Sequence, residues 1–505
     1  MLKRLSDRTN SSLLLLPTLI PILFFMRHYV PTSFWLDEGI TYWITNDSFN
    51  EVWTRSLNFQ GQSPFYFSIV YFFRQCLGNS EISLRTPSLL AFIGTMLYLY
   101  RTGSLLASKE AGLFACTMYC VTVTIVHPIL IDARPYGIAT FLATASTFYL
   151  IRYATTHDYI SLIAYFISSV SLFYAHYLFA HIFLFHALYI LIAHRTCKRL
   201  PPSSHMTFLL LGALLSLIPA LPHLNAIAKK AAIYTFAPPP SFAWLFPEVI
   251  PVQYLMLFFS SLLIAKLVPG SQRDFLMWHK PTQREKSAIF ITLLWSFIPL
   301  LGLILQSTLS SSVMLPRYAL SRIPGLCLLF GILADSQIRG MRKTLFPLAI
   351  CLLVAGSVLV KDITYRNEHW ESAFQYIHEQ THENETEPTI FLLSGLVEGE
   401  SAEWVASTPS ANAYLTSIAT PYQQKGRVYP LFMNENVRQA KSPFFLQTNT
   451  SSVWILSRGP QEAAQLSKRL SALEVFPNLR ARLETHFGII YIYKLIDSTS
   501  SSDDR

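Results

Sequence analysis

Apolar runs of membrane-spanning character recur from near the N-terminus to about residue 361, and they constrain this chain more than any other feature. They lie near 13–30, 64–78, 86–100, 111–131, 137–151, 159–175, 177–193, 207–222, 251–268, 287–306, 319–334 and 344–360. In lipid every backbone polar group must find a partner within its own segment or a closed barrel, so these runs read as helices. The charge content agrees: only 14% of the 505 residues are charged, against roughly a quarter in soluble domains. The expected architecture is mainly α: a polytopic membrane helix bundle with a small extracytoplasmic α/β domain at its C-terminal end.

Lys and Arg set the orientation. Lys3, Arg4 and Arg8 put the N-terminus in the cytoplasm, and no small-residue cleavage site follows, so 13–30 reads as a retained first span. Further basic loops hold Arg195, Lys198 and Arg199, then Arg273, Lys280, Arg284 and Lys286, then Arg339, Arg342 and Lys343. If all twelve runs crossed, these loops would fall on conflicting sides. The run 64–78 is short and carries Arg74, so it is taken as an interfacial or re-entrant helix. About eleven crossings then leave 31–85, 132–136, 223–250, 307–318 and everything after about 361 outside the cytoplasm. The net charge of +9 belongs to these loops, with no interleaved basic and aromatic stripe for nucleic acid, and no nucleic-acid partner is expected.

The chain divides into a membrane module, 1–361, and a tail, 362–505. None of the six cysteines falls in the tail, so it has no disulfide framework. Glu371–Glu387 is acidic and polar, and Trp370, Ala373, Phe374 and Ile377 repeat at helical spacing. Thr389–Leu393, Val453–Leu456 and Gly488–Leu495 read as strands, Gln461–Leu473 as an amphipathic helix, and Ser498–Arg505 as a frayed end.

Three polar clusters fall on the outer face. The first is Asp37-Glu38, ringed by Trp35, Tyr42 and Trp43; the second is Asp132-Ala133-Arg134-Pro135-Tyr136; the third is Pro316-Arg317-Tyr318, followed by Arg322. Carboxylates at a membrane boundary are costly to keep ionised and are usually retained for a task. A carboxylate can take a proton from an attacking hydroxyl, and an arginine can hold phosphate oxygens as charge builds on them. Structural readings compete. Asp132 and Arg134 could simply pair, Arg317 could snorkel from a helix end, and His176 and His181 could be packed core groups. Asp37, Glu38 and Asp132 could hold a divalent cation, although adjacent acids without further fixed ligands are a weak pattern for one. No other cofactor is indicated, and the chain has no His-Glu-x-x-His, Walker or Gly-x-Gly-x-x-Gly signature.

The order of these motifs resembles the GT-C glycosyltransferases that use polyprenyl-phosphate sugars, in the branch of protein O-mannosyltransferases and lipid A aminoarabinose transferases. Leu36-Asp37-Glu38-Gly39-Ile40-Thr41-Tyr42 is similar to the family's acidic motif in the first outer loop. Gly61-Gln62-Ser63-Pro64-Phe65-Tyr66 resembles its Gly-Gln-Pro-Pro-Leu-Tyr stretch, and Leu84-Arg85-Thr86-Pro87-Ser88 its Leu-Arg-Leu-Pro-Ser. Asp132–Tyr136 resembles Glu-Ala-Arg-Pro-Tyr, and Pro316-Arg317-Tyr318 the late Arg-Tyr motif. The similarity spans about 13–330.

The resemblance implies an inverting transferase that moves a sugar from a polyprenyl-phosphate donor to a glycan, lipid or protein acceptor outside the cytoplasm. Its setting would be a plasma or inner membrane. Asp37 is the implied base, with Glu38 and Asp132 as further acids. Arg134, Tyr136, Arg317, Tyr318 and Gln62 are the candidates for donor and phosphate contacts, and Tyr42 and His176 for the substrate pocket. Gln62 stands where some relatives carry a phosphate-binding lysine, and Ser63 replaces the first proline of the usual pair. A transporter or flippase of lipid-linked glycans is the alternative, but such folds often show paired repeats and broken midplane helices, which this sequence lacks.

Overall fold

The computed structural model describes residues 29–197, 215–229, 237–241, 252–267, 280–338, 367–381, 387–423, 426–432, 452–472 and 479–497, with a few isolated positions elsewhere. The expected first span, part of the 207–222 run and most of the 344–360 run, many of the orienting basic residues and the end after 497 lie outside the described residues.

The outer loop before the bundle is itself helical. α1 (Leu36–Ile44) opens at Trp35, whose N–H donates to the Glu38 carboxylate. α2 (Phe49–Phe59) begins at Ser48, whose hydroxyl accepts from the Glu51 N–H. α3 (Pro64–Leu77) starts at Ser63 with proline in its first turn and ends at Gly78, whose φ of 86° stops the helix. At about 1.5 Å per residue, its 14 residues fall short of a hydrocarbon core about 30 Å thick. Arg74, at its far end, is buried. It donates to the Tyr42 carbonyl, Thr45 Oγ1, Asn46 Oδ1 and Asn79 Oδ1, which fastens α3 to α1.

The bundle follows with α4 (Glu81–Leu106), α5 (Lys109–Val121), α6 (Tyr136–Thr156), α7 (Tyr159–Ala175), α8 (Ile182–Cys197), α9 (Leu221–Lys229), α10 (Val252–Leu267), α11 (Gln283–Leu309) and α12 (Ile323–Gln337). Among the described residues, Glu81–Leu106, Gln283–Leu309 and Pro316–Gln337 are long and apolar enough to cross a membrane. Tyr159–Ala175, Tyr177–Ala193 and Val252–Leu263 are shorter apolar helices. The chain is an integral membrane protein.

The tail carries a five-stranded mixed sheet in the order β2-β1-β3-β5-β4: β1 (Thr389–Leu393), β2 (Arg427–Pro430), β3 (Val453–Arg458), β4 (Leu479–Phe487) and β5 (Ile490–Asp497). β1 is parallel to both β2 and β3, with Ile390 opposite Val428 and Trp454. β5 runs antiparallel to β3 and β4. The helix expected around Trp370 is α13 (Trp370–Gln380), and its Trp370, Ala373, Phe374 and Ile377 are buried. The expected amphipathic helix is Ala463–Ala472. Two strands were not anticipated, β2 and β4. Gly488 is not strand: its φ of 63° forms the turn between β4 and β5.

The tail is docked on α1. The Leu36 N–H donates to Glu368 Oε2, Ser33 Oγ to the Glu368 carbonyl, and the Phe34 N–H to the Tyr422 hydroxyl. Gly39 lies so close to Ile418 that an added Cβ would stand 2.5 Å from its Cδ1 and 2.7 Å from its Cα. Trp43 and Phe59 meet Tyr414 at 5.9 and 5.1 Å between ring centroids. These residues and Trp370, Trp454 and Ile492 of the tail belong to one continuous apolar core.

Candidate active site

α1 divides the adjacent acids between two environments. Successive helical residues point about 100° apart, so Asp37 and Glu38 cannot share a direction. Glu38 turns into the protein, where no part of it is exposed. Arg85 holds it by Nε at 2.8 Å and Nη2 at 2.5 Å, and the Ala133 N–H donates to it at 2.7 Å. The same guanidinium donates to the Val30 and Thr32 carbonyls. Glu38 therefore ties α1, α4 and the 132–135 turn together and does not line the cavity. Asp132 is also fully buried and accepts from the Tyr29 hydroxyl at 2.5 Å.

Asp37 faces the other way, into a cavity of about 360 Å³ that also touches Gln62, Arg134, His176, Arg317 and Tyr318. Arg317 Nη1 lies 3.3 Å from Asp37 Oδ2 and Arg134 Nε 3.9 Å from the same oxygen. The structural alternative, a pairing of Asp132 with Arg134, is not what forms: Arg134 donates to the Asp37 carbonyl at 3.2 Å and pairs with its side chain. One carboxylate between two arginines leaves a formal surplus of one positive charge.

His176 caps α7 and faces this cluster. Burial, reinforced by Arg134 and Arg317, pushes its pKa down to about 3, so the ring is neutral. Among the described residues neither ring nitrogen has a hydrogen-bond partner, and the same holds for Gln62 Oε1. Two buried polar side chains on one cavity wall thus have capacity for a ligand. Tyr136 stands behind that wall, with its ring centroid 5.3 Å from His176 and 6.5 Å from Tyr318. Tyr42, expected in the pocket, is covered by Arg74, whose guanidinium carbon is 4.2 Å from its ring centroid. No group of three or more His, Cys, Asp or Glu that could hold a metal occurs among the described residues.

A second cavity, of about 530 Å³, continues from the first through Gly61, Leu178, Ile227 and Tyr318. Phe173, Leu224, Val313 and Leu315 give it an apolar wall. The tail supplies residues that sequence reading missed. Glu398, on a short turn after β1, lines the Asp37 cavity and accepts from the Tyr414 hydroxyl at 2.9 Å. Burial, with a smaller push from Asp37, raises its pKa. Arg458 lines the same cavity and donates to Glu368 at 3.0 Å. No local pattern marks these residues, because the cavity they line is built with residues of α1 and of the Pro316–Tyr318 turn, far from them in the chain.

Two comparisons bear on what such a site belongs to. The family model for dolichyl-phosphate-mannose-protein mannosyltransferases matches residues 61–225. The crystal structure of ArnT from Cupriavidus metallidurans bound to undecaprenyl phosphate superposes with a TM-score of 0.58 at 12% identity, covering 97% of this chain and 99% of that one. The chain is a glycosyltransferase of GT-C fold. The apo form of the same ArnT gives a TM-score of 0.56 at 12% identity, covering 98% and 99%. No curated protein sequence matches the chain. The family match takes in Gln62, Arg85, Asp132, Arg134 and His176 of the glycosyltransferase, whereas Asp37 and Arg317 lie on either side of it.

Proposed function

We propose that this glycosyltransferase transfers one sugar, with inversion, from a polyprenyl-phosphate donor to an acceptor on the extracytoplasmic side of a plasma or inner membrane. The observation that carries the reading is Asp37 held between Arg134 and Arg317 in a cavity that opens onto an apolar one. The acyl chain of the donor occupies the apolar cavity and its phosphate meets the arginines. ArnT, similar in fold, is seen with undecaprenyl phosphate bound, which supports a donor of this class.

In the reaction, the acceptor hydroxyl attacks the anomeric carbon from the face opposite the phosphate. The bond from carbon to phosphate oxygen breaks, and the polyprenyl phosphate leaves with the electron pair. Asp37 takes the hydroxyl proton. Its Oδ2 is engaged by the arginines, which leaves Oδ1 to act. The phosphate draws on the surplus positive charge, and each arginine can offer it a planar pair of donors. Neutral His176 and Gln62 supply uncharged hydrogen bonds to the sugar or phosphate. Glu38 and Asp132 act through position: the first fixes α1, and the second, with Tyr29, fixes the turn that presents Arg134. The membrane module, 1–361, and the tail, 362–505, form the site jointly, with about eleven crossings and α3 at the interface.

The test is purified protein in detergent with a labelled polyprenyl-phosphate sugar and a membrane glycolipid extract as acceptor. Labelled product of inverted anomeric configuration, formed without an ion gradient, is expected. Retained configuration would overturn the direct displacement, and transport without bond cleavage would overturn the whole reading.

A further inference from the structure

The tail sheet has a second opening, unused by the donor. A cleft of about 270 Å³ lies at the carboxyl ends of β1, β2 and β3, between Ser394, Gly395, Pro430, Ser457, Arg458 and Gln461. From β1 the chain adds β2 on one side and then crosses to add β3 on the other. Beside such a reversal the ends of parallel strands diverge and leave a crevice, which is where open α/β sheets bind ligands. This cleft joins the Asp37 cavity through Gly395, Leu396 and Arg458.

The chemistry of the cleft differs from that of the donor side. Its walls carry two serine hydroxyls, a glutamine amide and one guanidinium. Glu368 neutralises that guanidinium: both Nε and Nη2 of Arg458 lie 3.0 Å from Glu368 Oε1. Nη1 is left on the cleft side, 3.9 Å from where a Cβ on Gly395 would stand. Glu398 lies on the Asp37-cavity side, two residues after the shared Leu396, buried and held by Tyr414. A small space with mixed donors and acceptors, no net charge and rigid strand ends suits a compact group carrying many hydroxyls. An acyl chain would leave the Gln461 amide facing it without a hydrogen-bond partner. An extended peptide would pair along a sheet edge, not across strand ends.

We propose that this cleft is the acceptor subsite and that it takes a neutral sugar ring of a glycan or glycolipid, with Glu398 receiving a hydroxyl on the side nearest Asp37. The proposal rests on the glycosyltransferase reading above, and it makes the tail the element that selects the acceptor.

The test uses the full chain in detergent and the methyl glycosides of glucose, mannose and N-acetylglucosamine as probes. Saturation-transfer NMR reads glycoside binding, and a separate titration reads affinity for polyprenyl phosphate. At least one glycoside is expected to bind. Gln461→Trp, which fills the cleft, and Ser394→Val, which removes a hydroxyl, are each expected to weaken it at least tenfold while polyprenyl phosphate binds as before. Unchanged polyprenyl phosphate affinity also shows that the variants are folded. No glycoside binding to wild type, or binding that survives both variants, would overturn the proposal, as would capture of a serine peptide in place of every glycoside. Failure of polyprenyl phosphate to bind wild type would instead defeat the donor reading, and the glycoside signal would still be scored by itself.

Discussion

Arg317→Ala tests the phosphate role most directly, and the geometry sets its size. Asp37, Arg134 and Arg317 together carry one surplus positive charge, and the substitution removes it. Two unit charges about 4 Å apart interact by about 4 kcal/mol at an effective dielectric near 20. The Arg317 side chain is 22% exposed, so part of that is screened, and truncating one partner of a buried charge pair typically costs about 2–5 kcal/mol. A loss of about 2–4 kcal/mol in donor binding is expected, or roughly 30- to 700-fold at 1.4 kcal/mol per decade. Arg134 is more deeply buried, with a side chain 6% exposed, so Arg134→Ala should cost at least as much. This reverses the smaller cost that a pairing with Asp132 would imply. Gln62 lines the same cavity, so Gln62→Lys should return part of the affinity to Arg317→Ala. The assay is polyprenyl-phosphate binding to wild type, the three single variants and the double variant. Unchanged affinity in Arg317→Ala would refute the phosphate role, and absence of rescue would place the Gln62 side chain away from the phosphate.

Further expectations separate chemistry from scaffold. Asp37→Asn should fold normally and lose about 10²–10⁴-fold in rate, the range for a general base; near-wild-type turnover removes Asp37 from that role. Glu38→Gln leaves Arg85 buried with a weakened partner and should cost about 3–5 kcal/mol of stability, the scale for breaking a buried ion pair. A thermal midpoint equal to wild type would contradict it. His176 has its pKa depressed to about 3, so its stabilising contribution is complete above about 6.5 and is lost as pH falls towards 3. The stability of wild type should therefore decline more steeply over that window than that of His176→Gln; parallel curves count against a neutral buried ring. A thiol placed at exposed Glu403 by Glu403→Cys should react only with reagent outside the cytoplasm, and labelling solely from within would invert the topology.

The sequence alone was enough for the mainly helical architecture, a small sheet in the tail and several of its elements, because hydrophobic periodicity and caps are local and survive any arrangement of the helices. It also singled out Asp37, Arg134 and Arg317, since charge beside apolar runs stands out in any order. β2 and β4 escaped because they are the edges of the sheet, where one side of the strand stays wet. In β4, which carries Arg480, Arg482 and Glu484, the apolar alternation fades. Which of two adjacent carboxylates meets the cavity could not be read from the chain. That depends on the phase of α1 against Arg85 and the 132–135 turn, set by partners 47 and 95 residues away. The parts played by Glu368, Glu398 and Arg458 were beyond reach for the same reason: each carboxylate or guanidinium gains its role only when the tail folds back over α1, and burial against distant partners leaves no trace in local spacing.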